Sequence, residues 1–243
     1  MDSPNHILNR VGASPDSTES YGLLDDQVID FYNSDTGSNK VVVLIHGGFW
    51  KPEYDRTHLR SLAGALSKDG HRVALLEYRR VPGEPDLSTG DVKAALKFLK
   101  QSSKIDNSEL ILIGHSAGAQ LALWAAVNSE YVNGVIGLAP LCNFLESDAL
   151  DLGEGAIRDF LGENPVRRPD LDPMQMKRAT CSTVLIHGVE DTLPIPLTRS
   201  YMDTTESKEA GILFIEYPGV GHFELIDPLE ECYKLLLQQL SEF

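Results

Sequence analysis

An apolar run turns directly into a glycine-flanked serine at Ile111-Leu112-Ile113-Gly114-His115-Ser116-Ala117-Gly118. The apolar residues are typical of a buried strand, and the alanine-rich sequence that follows is typical of a buried helix. An abrupt strand-to-helix turn strains the corner residue and lifts its side chain clear of the sheet. Gly114 and Gly118 lack a Cβ and so allow strand and helix to approach closely. We therefore predict that Ser116 is a nucleophile; the alternative is a serine that caps an ordinary helix.

Composition narrows the class of protein. The 243 residues include 42% hydrophobic and 23% charged side chains, close to the globular average. A formal net charge of -15 argues against binding to nucleic acid or to an anionic membrane, because both require basic surfaces. Cys142, Cys181 and Cys232 are widely spaced, which favours neither a zinc site nor a disulfide framework. We expect no metal and no cofactor.

The sequence predicts neither a signal peptide nor a membrane span. Its first residues lack the basic and then apolar pattern of a signal peptide, and no apolar run approaches the ~18 residues of a membrane span. Together with the unpaired cysteines, this pattern predicts a cytoplasmic protein with no membrane partner.

Strand patterns alternate with helix patterns along most of the chain. Apolar stretches of strand length occur at residues 27–32, 41–45, 71–78, 109–113, 132–140, 183–187 and 213–217. Apolar residues recur at helical spacing within residues 59–66, 92–99 and 233–240, the second helix beginning at Ser88 or Thr89. This alternation predicts an α/β protein with a doubly wound, mostly parallel sheet. Turn-rich residues 33–39 predict a hairpin-like start to the sheet.

Two segments interrupt this alternation. Residues 1–20 are rich in Ser, Asp, Asn and Pro, which predicts a loosely held extension and leaves residues 21–243 as one domain. Residues 141–181 join two strands over a distance far longer than the usual connection of about 2–6 residues. This second segment predicts a small cap or, equally, a crossover helix with long loops.

Two residues after later strands can complete a hydrolytic site with Ser116. A serine hydroxyl needs a neutral imidazole to accept its proton and a carboxylate to orient that imidazole. Asp191 follows one strand pattern, and His222 lies in the glycine-rich loop after the next. The carboxyl ends of parallel strands meet at one edge of the sheet, and the order Ser, Asp, His suits this architecture. Glu190 is the alternative acid, and His222 can instead be a loop histidine with a structural hydrogen bond.

A glycine-containing loop follows another central strand, at His46-Gly47-Gly48-Phe49-Trp50. Attack by a serine creates an oxyanion, which must meet preorganised backbone N–H groups. The glycines let the N–H groups of Gly48 and Phe49 face the same point as that of Ala117, at a helix N-terminus. The segment can also be a tight turn in which the imidazole of His46 binds nearby backbone, and the two interpretations are compatible.

At these residues the chain resembles α/β-hydrolases of the esterase and arylformamidase group. The sequence around Ser116 resembles their nucleophile elbow, and His46-Gly47-Gly48-Phe49-Trp50 resembles the H-G-G-x-W signature of kynurenine formamidases. Phe49 stands where hormone-sensitive-lipase-like esterases carry a third glycine. The resemblance covers roughly residues 27–240. It implies an α/β-hydrolase fold with a small cap, the triad Ser116, Asp191 and His222, and oxyanion donors at Gly48 and Phe49.

The resemblance implies a metal-independent serine hydrolase that forms an acyl-enzyme. Its expected partner is a small-molecule substrate, either an aryl formamide such as N-formylkynurenine or an activated ester. An aromatic ring would contact aromatic side chains, for which we nominate Trp50, Tyr54, Phe144 and Phe223. One alternative is a short-acyl carboxylesterase or a peptidase-like hydrolase. Another is a non-catalytic binding protein, because fold does not fix function. Both a monomer and a homodimer remain open.

Overall fold

The structure is a computed structural model that describes residues 5–33, 39–102, 105 and 108–243. The described strands are β1 (Ser17–Ser20), β2 (Val28–Tyr32), β3 (Lys40–Ile45), β4 (Arg72–Leu76), β5 (Glu109–His115), β6 (Val132–Leu138), β7 (Ser182–Gly188) and β8 (Leu213–Tyr217). The described α-helices are α1 (Asn5–Leu8), α2 (Arg60–Lys68), α3 (Pro85–Gln101), α4 (Ala117–Asn128), α5 (Phe144–Ala149), α6 (Ala156–Leu161), α7 (Pro196–Met202), α8 (Thr205–Glu209) and α9 (Cys232–Ser241). Short 3₁₀ turns occur at Arg56–Leu59, Pro165–Arg167 and Glu224–Ile226.

The strands form one eight-stranded sheet in the order β1-β2-β4-β3-β5-β6-β7-β8. Strand β2 runs antiparallel to both of its neighbours, and the strands from β4 to β8 are parallel. This arrangement confirms the predicted α/β class with a mostly parallel sheet. The carboxyl ends of β3, β5, β7 and β8 therefore meet at one edge, which is where ligands bind in open α/β sheets.

Strand β5 lies near the middle of the sheet and explains the apolar run in the sequence. Its residues Leu110 to Ile113 are at most 1% exposed, since β3 and β6 flank the strand and helix α4 packs against it. The first seven residues of helix α4 are also buried, because this helix is covered on all sides. The centre of the core is thus the strand and helix that hold Ser116.

The start of the sheet differs from the predicted hairpin. Strands β2 and β3 do not pair; β4 lies between them, antiparallel to β2 and parallel to β3. Apolar patterns identify strands but not their neighbours, so the pairing was wrong. The turn-rich residues 34–38 lie outside the described part of the chain.

The predicted boundary at residue 20 also needs correction. Ser17–Ser20 forms edge strand β1, and the Thr18 hydroxyl donates to the carboxylate of Asp30 at 2.7 Å. A short polar strand carries no apolar alternation, so sequence patterning missed it. Residues 1–4 of the predicted extension lie outside the described residues.

Helix α3 begins earlier than the sequence suggested. Its first residue is Pro85, whose restricted φ suits the first turn of a helix. Ser88 does not cap the helix; its hydroxyl donates to the carbonyl of Arg79 at 2.7 Å.

The segment 141–181 contains helices α5 and α6 and a 3₁₀ turn. An aromatic cluster attaches it to the loop after β3. Trp50 stacks on Phe160 with ring centroids 4.2 Å apart, and Phe144 meets Trp50 edge-on at 5.6 Å. The segment therefore lies beside the carboxyl edge of the sheet.

None of the described helices combines the length and the apolar character required to cross a bilayer.

The close contact between helix α4 and strand β3 gives a stability prediction. A Cβ on Gly118 would lie 2.2 Å from the carbonyl oxygen of Ile45, whereas a Cβ on Gly90 in helix α3 would meet nothing within 4 Å. We expect Gly118→Ala to lower the free energy of unfolding by more than about 2 kcal/mol. The matched variant Gly90→Ala should raise it by about 0.5–1 kcal/mol, because alanine favours a helix interior. Urea unfolding measures both, and equal effects would contradict the packing argument.

Candidate active site

Ser116 occupies the sharp turn between β5 and α4. Its backbone has φ 55° and ψ -119°, a conformation that non-glycine residues rarely adopt, and its N–H donates to the carbonyl of Leu138 at 2.8 Å. A Cβ on Gly114 would lie 2.3 Å from the carbonyl oxygen of Gly118. The flanking glycines are therefore required by the backbone contact, as the sequence predicted.

Asp191 and His222 meet at the ends of β7 and β8. Nδ1 of His222 donates to Oδ2 of Asp191 at 2.9 Å, because a carboxylate can only accept. A neutral His222 thus has its unprotonated nitrogen at Nε2, the atom that a general base uses. The alternative acid, Glu190, is exposed, and its backbone N–H donates to the carbonyl of Val220 at 3.1 Å.

The carboxylate of Asp191 has further donors. The N–H of Leu193 donates to Oδ1 at 2.6 Å, and Nε2 of His187 lies 3.3 Å from Oδ2. Burial alone would raise the pKa of Asp191, but the hydrogen bonds from His187 and His222 hold this pKa well below its usual range. Asp191 is therefore ionised and faces His222 as a fixed negative charge.

His115, next to Ser116, packs beside His222. Its Nε2 donates to the carbonyl of His222 at 3.0 Å, and the two rings lie 4.6 Å apart. Burial, together with the neighbouring His222, lowers the pKa of His115 well below the usual value. His115 thus stays neutral while it holds the loop that carries His222.

The loop after β3 contains three successive residues with positive φ: Gly48 at 104°, Phe49 at 52° and Trp50 at 54°. In the described part of the chain no hydrogen bond uses the N–H of Gly48 or Phe49. Ala117 begins helix α4, so its N–H has no partner within the helix. A Cβ on Gly47 would lie 3.0 Å from Cβ of Ser116, which places this loop directly beside the serine.

A buried network of hydrogen bonds and ion pairs centred on Glu77 contacts the loop after β3. His46 lies with Nδ1 2.8 Å from the carbonyl of Gly47 and Nε2 2.9 Å from Oε1 of Glu77. Arg56 and Arg80 also bind the Glu77 carboxylate. Burial favours the neutral acid, yet these partners, His46 foremost, lower the pKa of Glu77 to about 2. The sequence predicted the backbone contact of His46 but not its partner Glu77, which arrives from the end of β4.

Ser116 and His222 line one cavity of about 340 Å³. Its walls also include Leu8, Gly48, Phe49, Tyr54, His58, His115, Leu152, Gly153, Thr192, Leu193 and Phe223. Of the four aromatic residues nominated from the sequence, Tyr54 and Phe223 lie in this wall. Their contact with a substrate remains a prediction.

The prediction that Trp50 and Phe144 line the substrate cavity was wrong. They are 3% and 0% exposed, and both pack in the aromatic cluster with Phe160 instead of facing the cavity. Aromatic residues near a site are often core, and sequence alone does not separate the two cases.

His58 and Leu8 are lining residues that sequence reasoning missed. His58 sits in the 3₁₀ turn before α2, edge-on to His46 with ring centroids 5.7 Å apart. Burial and the neighbouring His46 lower the pKa of His58 to about 4. No sequence motif identifies either residue, because only the tertiary fold brings each of them to the cavity.

Fold and site geometry define an α/β-hydrolase: a parallel sheet with a strained serine after β5 and a histidine–carboxylate pair after β7 and β8. Residues 29–202 match the BD-FAE family model, and the chain belongs to this family. It is a hydrolase enzyme of this fold.

Known relatives agree with this assignment. The chain is 25% identical over 218 residues to a kynurenine formamidase of Drosophila melanogaster, a match that covers 83% of this chain and 72% of the relative. It is 33% identical over 105 residues to a kynurenine formamidase of Meyerozyma guilliermondii, covering 42% of this chain and 39% of that one. Among solved structures, esterase B of Lactobacillus rhamnosis has the same fold, with a TM-score of 0.78, 18% identity and coverage of 95% of this chain and 86% of the esterase.

The pKa of Glu77 gives a prediction about stability and pH. Because folding lowers this pKa from 4.5 to about 2, the stabilisation is complete above pH 4.5 and is lost as pH falls towards 2. Glu77→Gln should therefore cost on the order of 3 kcal/mol of unfolding free energy at pH 7 and much less at pH 3. Denaturant unfolding at several pH values measures the difference.

The matched control for this prediction is Glu231→Gln, an exposed carboxylate paired with Lys234. Its profile should run parallel to that of the unsubstituted chain. Parallel profiles for Glu77→Gln as well would show that the buried carboxylate is not the source of the pH dependence.

Proposed function

We propose that the protein is a serine hydrolase that forms an acyl-enzyme through Ser116, His222 and Asp191, and that it cleaves a small aryl formamide or ester. One observation carries the proposal. The hydrogen-bonded pair of Asp191 and His222 and the strained Ser116 border the same cavity. A structural role for these residues needs neither the strained backbone nor the shared cavity.

In the first half of the reaction, Oγ of Ser116 attacks the carbonyl carbon while Nε2 of His222 takes its proton. Asp191 stabilises the resulting imidazolium and keeps Nδ1 directed at itself. The tetrahedral intermediate then collapses, the C–N or C–O bond breaks, and the imidazolium gives its proton to the departing amine or alcohol. In the second half, water attacks the acyl-enzyme by the same route and releases the acid.

The oxyanion of each intermediate is assigned to the backbone N–H groups of Gly48, Phe49 and Ala117. Preorganised amides of this kind stabilise the transition state because they need no rearrangement as charge develops. The buried contact between His46 and Glu77 holds the loop that carries the first two donors.

Aryl formamides are the leading substrate class. The two relatives bear the name kynurenine formamidase, and Phe49, Tyr54 and Phe223 offer aromatic surface beside Ser116. Short-acyl esters are the second class, since the family and the shared fold also include esterases.

Formylkynurenine and p-nitrophenyl acetate, assayed side by side by absorbance, distinguish the two substrate classes. Turnover of the ester alone would reject the formamidase assignment and retain the serine mechanism.

Removal of the nucleophile is the central test. We expect Ser116→Ala to lower kcat/KM for every cleaved substrate by at least about 10³-fold and to abolish labelling by a fluorophosphonate, which bonds to Oγ with loss of fluoride. The matched variant Ser241→Ala, at a serine whose hydroxyl donates to Gln238 on the last helix, should leave both readouts unchanged. Full activity of Ser116→Ala would reject the proposal.

The proposed general base predicts an acid limb in the pH profile. As pH falls, kcat/KM should decrease with one proton taken up, because protonated His222 cannot accept the serine proton. His58 has a pKa lowered to about 4, and the pKa of His115 lies well below its usual value, so neither ring accounts for a limb above pH 5. As a control, the pH profile of His58→Gln, measured from initial rates, should show the same acid limb as the unsubstituted enzyme. A rate that does not fall with pH anywhere in the range where the protein stays folded would contradict the role of His222.

A further inference from the structure

We propose that Leu8, held in place by the segment of residues 5–16, forms part of the wall of the substrate cavity and binds an uncharged, apolar group of the substrate. The proposal rests on the function proposed above, because it assumes that the cavity beside Ser116 receives the substrate. It assigns a role to a segment that the sequence left without one.

The segment that carries Leu8 is attached to the loop after β8. Arg10 forms an ion pair with Asp227, whose side chain is 1% exposed, and Asp227 follows the 3₁₀ turn after Phe223. Ile7, next to Leu8, is 3% exposed. These contacts join the segment to the loop that carries His222.

A second set of contacts holds the segment against the body of the fold. The hydroxyl of Tyr32 donates to the carbonyl of Ala13 at 3.0 Å, and the N–H of Asp16 donates to the carbonyl of Phe31 at 2.8 Å. A Cβ on Gly12 would lie 2.3 Å from the backbone of Arg60, so the chain presses directly on helix α2. Leu8 therefore reaches the cavity from a segment that is anchored on its C-terminal side.

The chemistry of the cavity indicates what Leu8 contacts. Leu152, Leu193 and Phe223 line the same cavity, so Leu8 belongs to a wall of aliphatic and aromatic surface. The imidazoles of His58 and His115 add polar atoms without charge, because burial lowers both pKa values. A site of this composition favours uncharged groups, since a charge buried without a partner is costly.

Several arginines among the described residues pair with buried carboxylates. Arg10 binds Asp227, Arg56 binds Asp30 and Glu77, and Arg80 binds Glu77. A substrate carboxylate would have to compete with these buried partners. At the part of the wall that Leu8 forms, a neutral acyl or aryl group is therefore bound better than a carboxylate.

The first experiment compares p-nitrophenyl hexanoate with p-nitrophenyl acetate. Leu8→Ala should lower the hexanoate-to-acetate ratio of kcat/KM by about three- to tenfold, because only the longer substrate reaches the wall. Val11→Ala is the matched control on the same segment, where the side chain is 94% exposed, and its ratio should not change. Equal ratios in Leu8→Ala and Val11→Ala would overturn the proposal.

The second experiment tests charge at constant chain length. The unsubstituted enzyme should prefer p-nitrophenyl butyrate to mono-p-nitrophenyl succinate by at least about tenfold. Leu8→Lys places an ammonium group in the wall and should narrow this preference several-fold. Equal turnover of the two esters by the unsubstituted enzyme, or an unchanged preference in Leu8→Lys, would overturn the assigned ligand class.

Fluorophosphonate labelling separates failure of this proposal from failure of the serine mechanism. Labelling retained in Leu8→Ala and Leu8→Lys shows that the chain is folded and that Ser116 is reactive. Unchanged substrate ratios with labelling retained would reject the wall and leave the mechanism standing. Full activity of Ser116→Ala would instead reject the mechanism on which the wall depends.

Discussion

Helix α4 touches the end of strand β3 backbone to backbone, and the candidate site depends on this contact. A Cβ on Gly118 would lie 2.2 Å from the carbonyl oxygen of Ile45, so no larger residue fits without a shift. The contact forces a sharp turn at Ser116 and brings the loop after β3 beside it. The packing that builds the centre of the sheet therefore also places the amides of Gly48 and Phe49 next to the serine.

Buried carboxylates in this protein hold neighbouring elements of the fold in a fixed arrangement. The side chains of Asp30, Glu77 and Asp191 are at most 2% exposed. Each is bound by arginine or histidine side chains from other elements. Such pairs add little net stability relative to apolar packing, but a partner left alone is strongly unfavourable, so each pair holds its elements in one arrangement. No arginine or lysine lines the cavity in the described part of the chain, and its walls are mainly apolar and aromatic side chains.

The sequence was most informative about the location of residues that follow strands. Ser116, Asp191 and His222 each come just after an apolar strand, and parallel pairing brings such positions to one edge whatever the loop sequences are. Sequence reasoning was weaker for neighbours and orientations. It predicted that β2 pairs with β3 and missed the polar strand β1. It also predicted that Trp50 and Phe144 line the cavity, whereas both pack in the aromatic cluster. Each error concerns which surfaces meet, and periodicity carries no information about that.

The alternation of strands and helices from β2 to α4, the turn at Ser116 and the need for glycine at positions 114 and 118 were readable from the sequence. These features follow from local periodicity and from the missing Cβ. The walls of the cavity were decided by tertiary structure alone. Leu8 and Phe223 lie more than 200 positions apart along the chain and line the same space. Glu77 and His46 meet only because β3 and β4 are neighbours in the sheet. Contacts between residues so distant in sequence depend on how whole elements pack, and that packing is a property of the complete core.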